Sequence, residues 1–197
     1  MEQNKKVHTL VECAILVAMS VVLSLVPIWQ IPLGGKVTLV SMLPVCMISV
    51  RHGMKWGLGS AFVYSVFQLI LGITTEGIFG WGLNPAMLIG CIVFDYIVAF
   101  TVLGFAGIFR KNGKSGIYSG IALACILRFL SHFLSGYIIF RNLGQWELFG
   151  EVFSDRPIIY SLCYNGLFML PELVMTLVVA ILMMQIPYVK KIFVSDR

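Results

Sequence analysis

Leu127-Arg128-Phe129-Leu130-Ser131-His132-Phe133-Leu134-Ser135-Gly136 sets an arginine, a histidine and two serines inside an otherwise apolar run. A charged side chain near the centre of a bilayer costs about 2.5–3.5 kcal/mol on insertion scales, so it faces a protein interior or a wet cavity. Arg128, His132 and Ser135 stand at i, i+4 and i+7, one stripe on one helical face, with Ser131 and Gly136 beside it. The pattern predicts a membrane helix whose polar stripe points into a helical bundle.

The rest of the chain agrees. Of its 197 residues 59% are hydrophobic and only 12% charged, where a typical soluble domain carries about 25% charged residues. Such a composition excludes an ordinary soluble domain and predicts an all-α integral membrane bundle, a single domain over residues 1–197 embedded in the lipid bilayer. The basic residues lie in short groups between apolar runs rather than on one face, which argues against nucleic acid as a partner. Cys13, Cys46, Cys91, Cys125 and Cys163 all fall inside apolar runs with no CxxC or metal-ligand spacing, and are expected to act as small core hydrophobes.

Apolar runs bounded by Pro, Gly and charge predict six transmembrane helices at about 8–26, 37–50, 56–73, 83–109, 116–140 and 157–187. The first has Lys5 and Lys6 before it and no convincing small-residue cleavage site, so it is expected to be retained. The second is short, and Pro44 interrupts it, which suggests a tilted or broken segment. Lys5, Lys6, Arg51, Lys55, Arg110, Lys111, Lys114, Lys190, Lys191 and Arg197 fall on the side of the termini, against Lys36, Arg141 and Arg156 on the other, a ratio of ten to three. By the positive-inside rule both termini of this multi-pass cell-membrane protein are expected in the cytoplasm. Two outer loops carry aromatics among polar, Pro or Gly residues, one with Trp29 before Gly34-Gly35 and one from Arg141 to Arg156 with Trp146, and both are candidates to close over one pocket.

Three late helices hold most of the interior polar groups: Asp95 and Tyr96 in the fourth, the Arg128 stripe in the fifth, and Tyr160, Ser161, Tyr164, Asn165 and Glu172 in the sixth. At ~1.5 Å rise per residue, Asp95 and Arg128 fall near mid-membrane and His132, Tyr160 and Asn165 in the outer half, which describes a pocket open to the outside. Buried charges are usually paired, so a structural ion pair of Arg128 with Asp95 or Glu172 is expected. For Asp95 two readings stand, counter-ion to Arg128 or acceptor for a ligand. His132 either bonds one helix to another or contacts the ligand, and the Tyr160 and Asn165 pair is placed for ligand contact. Tyr96, Phe133, Tyr137, Phe140, Tyr160 and Tyr164, with Trp29 and Trp146 from the loops, supply aromatic walls suited to a flat, heteroaromatic, cationic ligand.

These residues resemble the thiamine-specific S component, the membrane-embedded vitamin-binding subunit of energy-coupling factor (ECF) transporters. The strongest pieces are Arg128 to Gly136 and Tyr160-Ser161-Leu162-Cys163-Tyr164-Asn165-Gly166-Leu167-Phe168-Met169-Leu170-Pro171-Glu172, supported by Ser41-Met42-Leu43-Pro44, Arg51-His52-Gly53 and Phe94-Asp95-Tyr96. The resemblance implies six helices, no catalysis, no cofactor, and thiamine bound in the outer half under the loop after the first helix. Its acidic-plus-tyrosine pair falls on Asp95 and Tyr96, its histidine on His132, its glycine on Gly136, and its tyrosine and asparagine on Tyr160 and Asn165; Tyr137, Phe140 and Trp29 are expected around them. Two departures stand out: Phe140 replaces the tryptophan expected eight residues after His132, and Thr74 to Trp81 aligns with nothing in the pattern.

Ala14 and Ala18 form a small-xxx-small pair in the first helix. In S components this resembles the docking face for the ECF transmembrane coupling subunit. The chain has no GxxxxGK[ST] motif, so the resemblance assigns ATP hydrolysis to two partner ATPase subunits. The alternatives are an S component for another small heteroaromatic such as a thiamine precursor, an intramembrane enzyme, or an ion-coupled carrier. Against the enzyme, there is no HExxH and one histidine inside the membrane, His8 and His52 lying in loops. Against the carrier, there is no inverted repeat.

Overall fold

The computed structural model describes residues 2–31, 34–140, 147–148, 151–152 and 156–195. Expectations that rest on Trp146, Arg141 and Arg197 lie outside these residues. The chain runs α1 (Glu2–Ser24), a hairpin of β1 (Pro27–Gln30) and β2 (Lys36–Thr38), α2 (Met42–His52) and α3 (Met54–Leu71). It continues through α4 (Pro85–Cys91), α5 (Gly113–Ile138), α6 (Pro157–Met183) and a short α7 (Pro187–Lys190), with a second small antiparallel pair, Glu147–Leu148 against Glu151–Val152, before α6. Five helical stretches among the described residues are long and apolar enough to cross a membrane: Gln3–Ser24, Met54–Glu76, Pro85–Gly107, Arg110–Ile138 and Pro157–Met183.

The sixth helix is the exception in length. α2 has 11 residues, or roughly 16 Å at ~1.5 Å per residue, half of a ~30 Å hydrocarbon core. Met42 through Val50 are buried without a break, so α2 is enclosed by its neighbours and meets lipid on no face. The expected start at residue 37 is too early: Lys36–Thr38 pair with β1 as a strand, and α2 begins only at Met42. Nor does Pro44 break the helix. It lies in the first turn, where its missing N–H leaves no intrahelical bond unmade.

Periodicity places each helix. α1 buries Cys13, Val17, Ser20 and Ser24 at helical spacing and turns Leu10, Ile15 and Val22 outward. α5 buries Gly116, Gly120 and Ala124 and then Arg128, Ser131, His132, Ser135 and Gly136, so its small residues and its polar stripe share one inward face. A Cβ on Gly120 would strike the Ala106 carbonyl, which is why α5 can lie against the backbone of the segment after α4. Gly53 makes the turn from α2 to α3 at φ 91°, a left-handed backbone that L side chains resist. Four cysteines are buried as expected, but Cys163 is exposed on the outer face of α6.

α4 matters most for the site. It starts at an Asn84 cap, whose side chain accepts from Met87 N at 2.9 Å, with Pro85 in the first turn. It then widens into a π-helical stretch at Ile92–Val98 and tightens into 3₁₀ turns at Val102–Gly107. Such π segments free backbone groups and re-aim side chains, and are frequent at functional sites. Here Ser131 Oγ of α5 donates to the Phe94 carbonyl at 2.5 Å, and the stretch carries Asp95 toward α5 and Tyr96 toward Glu76 at the end of α3.

Candidate functional site

The β1–β2 hairpin, the end of α3, the π stretch of α4, α5 and α6 surround a cavity lined by aromatic and charged side chains. Asp95, Tyr96, Arg128, His132, Gly136, Phe140, Tyr160 and Asn165 all line it. Elements far apart in sequence thus bring most of the expected residues to one place.

At the centre, His132 Nδ1 lies 2.9 Å from Asp95 Oδ1, and Arg128 Nε donates to His132 Nε2 at 3.3 Å. A guanidinium only donates, so Nε2 carries the lone pair and the ring proton sits on Nδ1, directed at Asp95. Ser135 Oγ donates to the second oxygen of Asp95. Asn165 Nδ2 donates to the Ser161 carbonyl at 2.8 Å and the His132 carbonyl at 3.3 Å, tying α6 to α5 on the cavity wall. A Cβ on Gly136 would collide with Ser161 Oγ and come within 3.2 Å of Asn165 Nδ2, so a glycine is required where the two helices cross.

The expected ion pair of Arg128 with Asp95 or Glu172 is not formed as a contact; among the described residues no carboxylate lies within 4 Å of Arg128. Both acids are claimed elsewhere. Asp95 is taken by His132 and Ser135, while Glu172 Oε1 accepts from both Thr38 N and Thr38 Oγ1, each at 2.6 Å. Arg128, 6% exposed, instead lies with its guanidinium carbon 4.3 Å from the Phe100 ring centroid. Its charge reaches Asp95 through His132.

Two further expectations are corrected. Trp29 does not line the cavity: β1 is exposed along its whole length, and Trp29, opposite Val37, is 41% exposed. Tyr137 is half-buried on α5 but stands one position past the stripe and is likewise absent from the cavity wall. The aromatic walls come from Trp81, Phe100, Phe140, Tyr160, Tyr164 and Phe168. Tyr160 stacks on Tyr164 at 5.7 Å, Tyr164 meets Phe168 edge-on at 6.0 Å, and Phe168 meets His132 at 5.6 Å, a run at i, i+4 and i+8 along α6.

The stretch Thr74 to Trp81, unplaced by motif, supplies the missing side of the site. Glu76 closes the π turn Gly72–Glu76 at the end of α3. Its Oε1 receives Lys36 Nζ at 2.7 Å, its Oε2 the Tyr96 hydroxyl at 2.8 Å, and its carbonyl the indole N–H of Trp81 at 3.1 Å. The signal in the sequence was a lone acid at the end of an apolar helix, followed at once by glycines and a tryptophan. The hairpin is held over the cavity from three directions: Lys36 on Glu76, Thr38 on Glu172, and Gly35 N donating to the Tyr164 hydroxyl at 3.2 Å. On the opposite flank, Ala14 and Ala18 are exposed and line an apolar groove between α1 and α3 with Val17, Val21, Trp56 and Val63.

A family model described as thiamine transporter protein (Thia_YuaJ) matches residues 10–191. The thiamine transporter ThiT of Bacillus subtilis is 28% identical over 213 aligned positions, covering 100% of both chains. The thiamine transporter ThiT of Lacticaseibacillus paracasei is 26% identical over 196 positions, covering 91% of this chain and 88% of the relative. A solved structure of ThiT from Listeria monocytogenes shares the fold with a TM-score of 0.72 at 21% identity, over 94% of this chain and 98% of that one.

Proposed function

The chain belongs to the thiamine transporter protein family, and from that premise we propose that it is the substrate-capture subunit of an ATP-driven vitamin importer, taking thiamine from the extracellular side. It is a multi-pass membrane protein of a transport family, not an enzyme family. The observation that carries the reading is one cavity that combines aromatic walls with carboxylates on Asp95 and Glu76 and an orienting amide on Asn165.

Thiamine offers two recognisable ends, a hydrogen-bonding aminopyrimidine and a cationic thiazolium. Asp95, its carboxylate held by His132 and Ser135, accepts from the aminopyrimidine. Tyr160 and the Asn165 amide oxygen fix the orientation of that ring, and Gly136 lets α6 approach α5 closely enough to place Asn165. The thiazolium lies among Trp81, Phe140 and Tyr164, where each cation–π contact contributes about 0.5–2 kcal/mol. His132 and Tyr96 hold the two carboxylates in register, so the site is organised before the ligand arrives.

The ten-to-three split of basic residues supports both termini in the cytoplasm, with the hairpin and cavity facing out. The exposed Ala14 and Ala18 groove offers a helix-sized apolar surface for an ECF transmembrane coupling subunit, with two ATPase subunits supplying the energy. Titration of the purified protein with thiamine, followed by its tryptophan fluorescence, to which Trp81 on the cavity wall contributes, tests the core of this reading. Saturable quenching that is lost in Asp95→Ala and His132→Ala supports it; no saturable binding, or unchanged binding in both variants, overturns it. A panel of thiamine precursors in competition separates thiamine from a related heteroaromatic.

A further inference from the structure

Among the described residues, the cavity wall holds two cations, Lys36 and Arg128, and two carboxylates, Glu76 and Asp95. With His132 neutral as its tautomer requires, the site is balanced. A cationic ligand added to it leaves one positive charge in excess unless a resident cation leaves. The two cations differ in their freedom to go. Arg128 is deep, packed on Phe100 and bonded to His132. Lys36 sits on the three-residue β2 at the mouth, and its side chain is 16% exposed.

The two acids differ in the same way. Each oxygen of Asp95 is already bonded by a side chain of the packed helix α5. Glu76 is fixed on one oxygen by Tyr96, and among the described residues its other oxygen is bonded by the ammonium of Lys36, a strongly hydrated charge on a flexible stem. Glu76 also holds the Trp81 ring through its carbonyl, so a carboxylate and an aromatic face are presented together, the pairing that suits an organic cation.

We propose that Lys36 is a stand-in cation which the ligand's own cationic ring replaces on Glu76, so that the Lys36–Glu76 pair selects cationic over neutral ligands. This rests on the reading of the site as a thiamine site. On binding, Lys36 swings out to water and its charge is hydrated there, while the ligand's cation takes its place against the carboxylate and Trp81. Exchange keeps the cavity neutral and releases one of the three ties on the hairpin.

The test compares thiamine with the neutral aminopyrimidine alcohol that lacks the thiazolium ring, by calorimetric titration of the wild type, Lys36→Met and Glu76→Gln. Thiamine is expected to bind Lys36→Met about tenfold more tightly than the wild type, the size of one charge-assisted contact no longer competed for. Glu76→Gln is expected to weaken thiamine while leaving the alcohol unchanged. Unchanged or weaker thiamine binding to Lys36→Met overturns the exchange, as does an equal loss for both ligands in Glu76→Gln. If Glu76→Gln fails to fold, Lys36→Met decides alone. A wild type that binds no thiamine overturns the thiamine reading itself, whereas a wild type that binds and a Lys36→Met that matches it overturn only the exchange.

Discussion

Asp95 illustrates how much one side chain can organise. Its two oxygens take the ring proton of His132 and the hydroxyl proton of Ser135, and behind His132 stands Arg128, so a carboxylate is kept in a largely apolar bundle by donors rather than by a direct counter-ion. Asp95→Asn preserves the shape and removes the charge, so thiamine affinity is expected to fall by about tenfold or more, as for loss of a charge-assisted acceptor, in a fluorescence titration. Gly136 is a test of space. The Cβ of Gly136→Ala would press on Ser161 Oγ and Asn165 Nδ2, so the variant is expected to bind thiamine more weakly even though alanine favours the helix more than glycine.

At the scale of elements, α6 joins the cavity to its cover. Tyr160, Tyr164 and Phe168 line the wall, and one turn further Glu172 holds Thr38 of β2 by two hydrogen bonds. Glu172→Ala leaves the buried Thr38 N–H unpaired, while the Thr38 hydroxyl still has Ser41 Oγ at 2.7 Å, a cost of ~1–3 kcal/mol for the unsatisfied group. The hairpin should then open more readily, and thiamine is expected to dissociate about tenfold faster in stopped-flow measurements, by the free-energy equivalence of that cost. Glu172→Gln retains an acceptor oxygen for Thr38 and is expected to restore near wild-type dissociation. A glutamine that fails as badly as alanine would show that the charge, not the acceptor, matters. The π stretch of α4 has a comparable role, since it turns Asp95 and Tyr96 toward different partners, His132 on one side and Glu76 on the other.

At the scale of the molecule, the proposed function assigns capture and delivery to two separate surfaces. The cavity lies under the hairpin, and the Ala14 and Ala18 groove lies on the outer flank of α1 and α3. Ala14→Leu with Ala18→Leu fills that groove without touching the cavity, so thiamine binding to the purified protein is expected to persist while ATP-dependent uptake with the coupling subunits is lost. The membrane class, the six helices and the inward stripe of α5 were legible in the sequence because each follows from local composition and a 3.6-residue period. Asp95, His132, Gly136, Tyr160 and Asn165 stood out as polar or small residues in apolar runs and through the family resemblance, and all five line the cavity. Which donor meets which acceptor has no such period. That Arg128 lies over Phe100, that Glu172 serves Thr38, that Trp81 stands in the wall where Trp29 was expected, and that Lys36 covers Glu76 are all set by distances between elements far apart in the chain. Composition and periodicity therefore determined a membrane bundle with a polar interior, and only the packing of hairpin, π stretch and helices decided the partners of each charge.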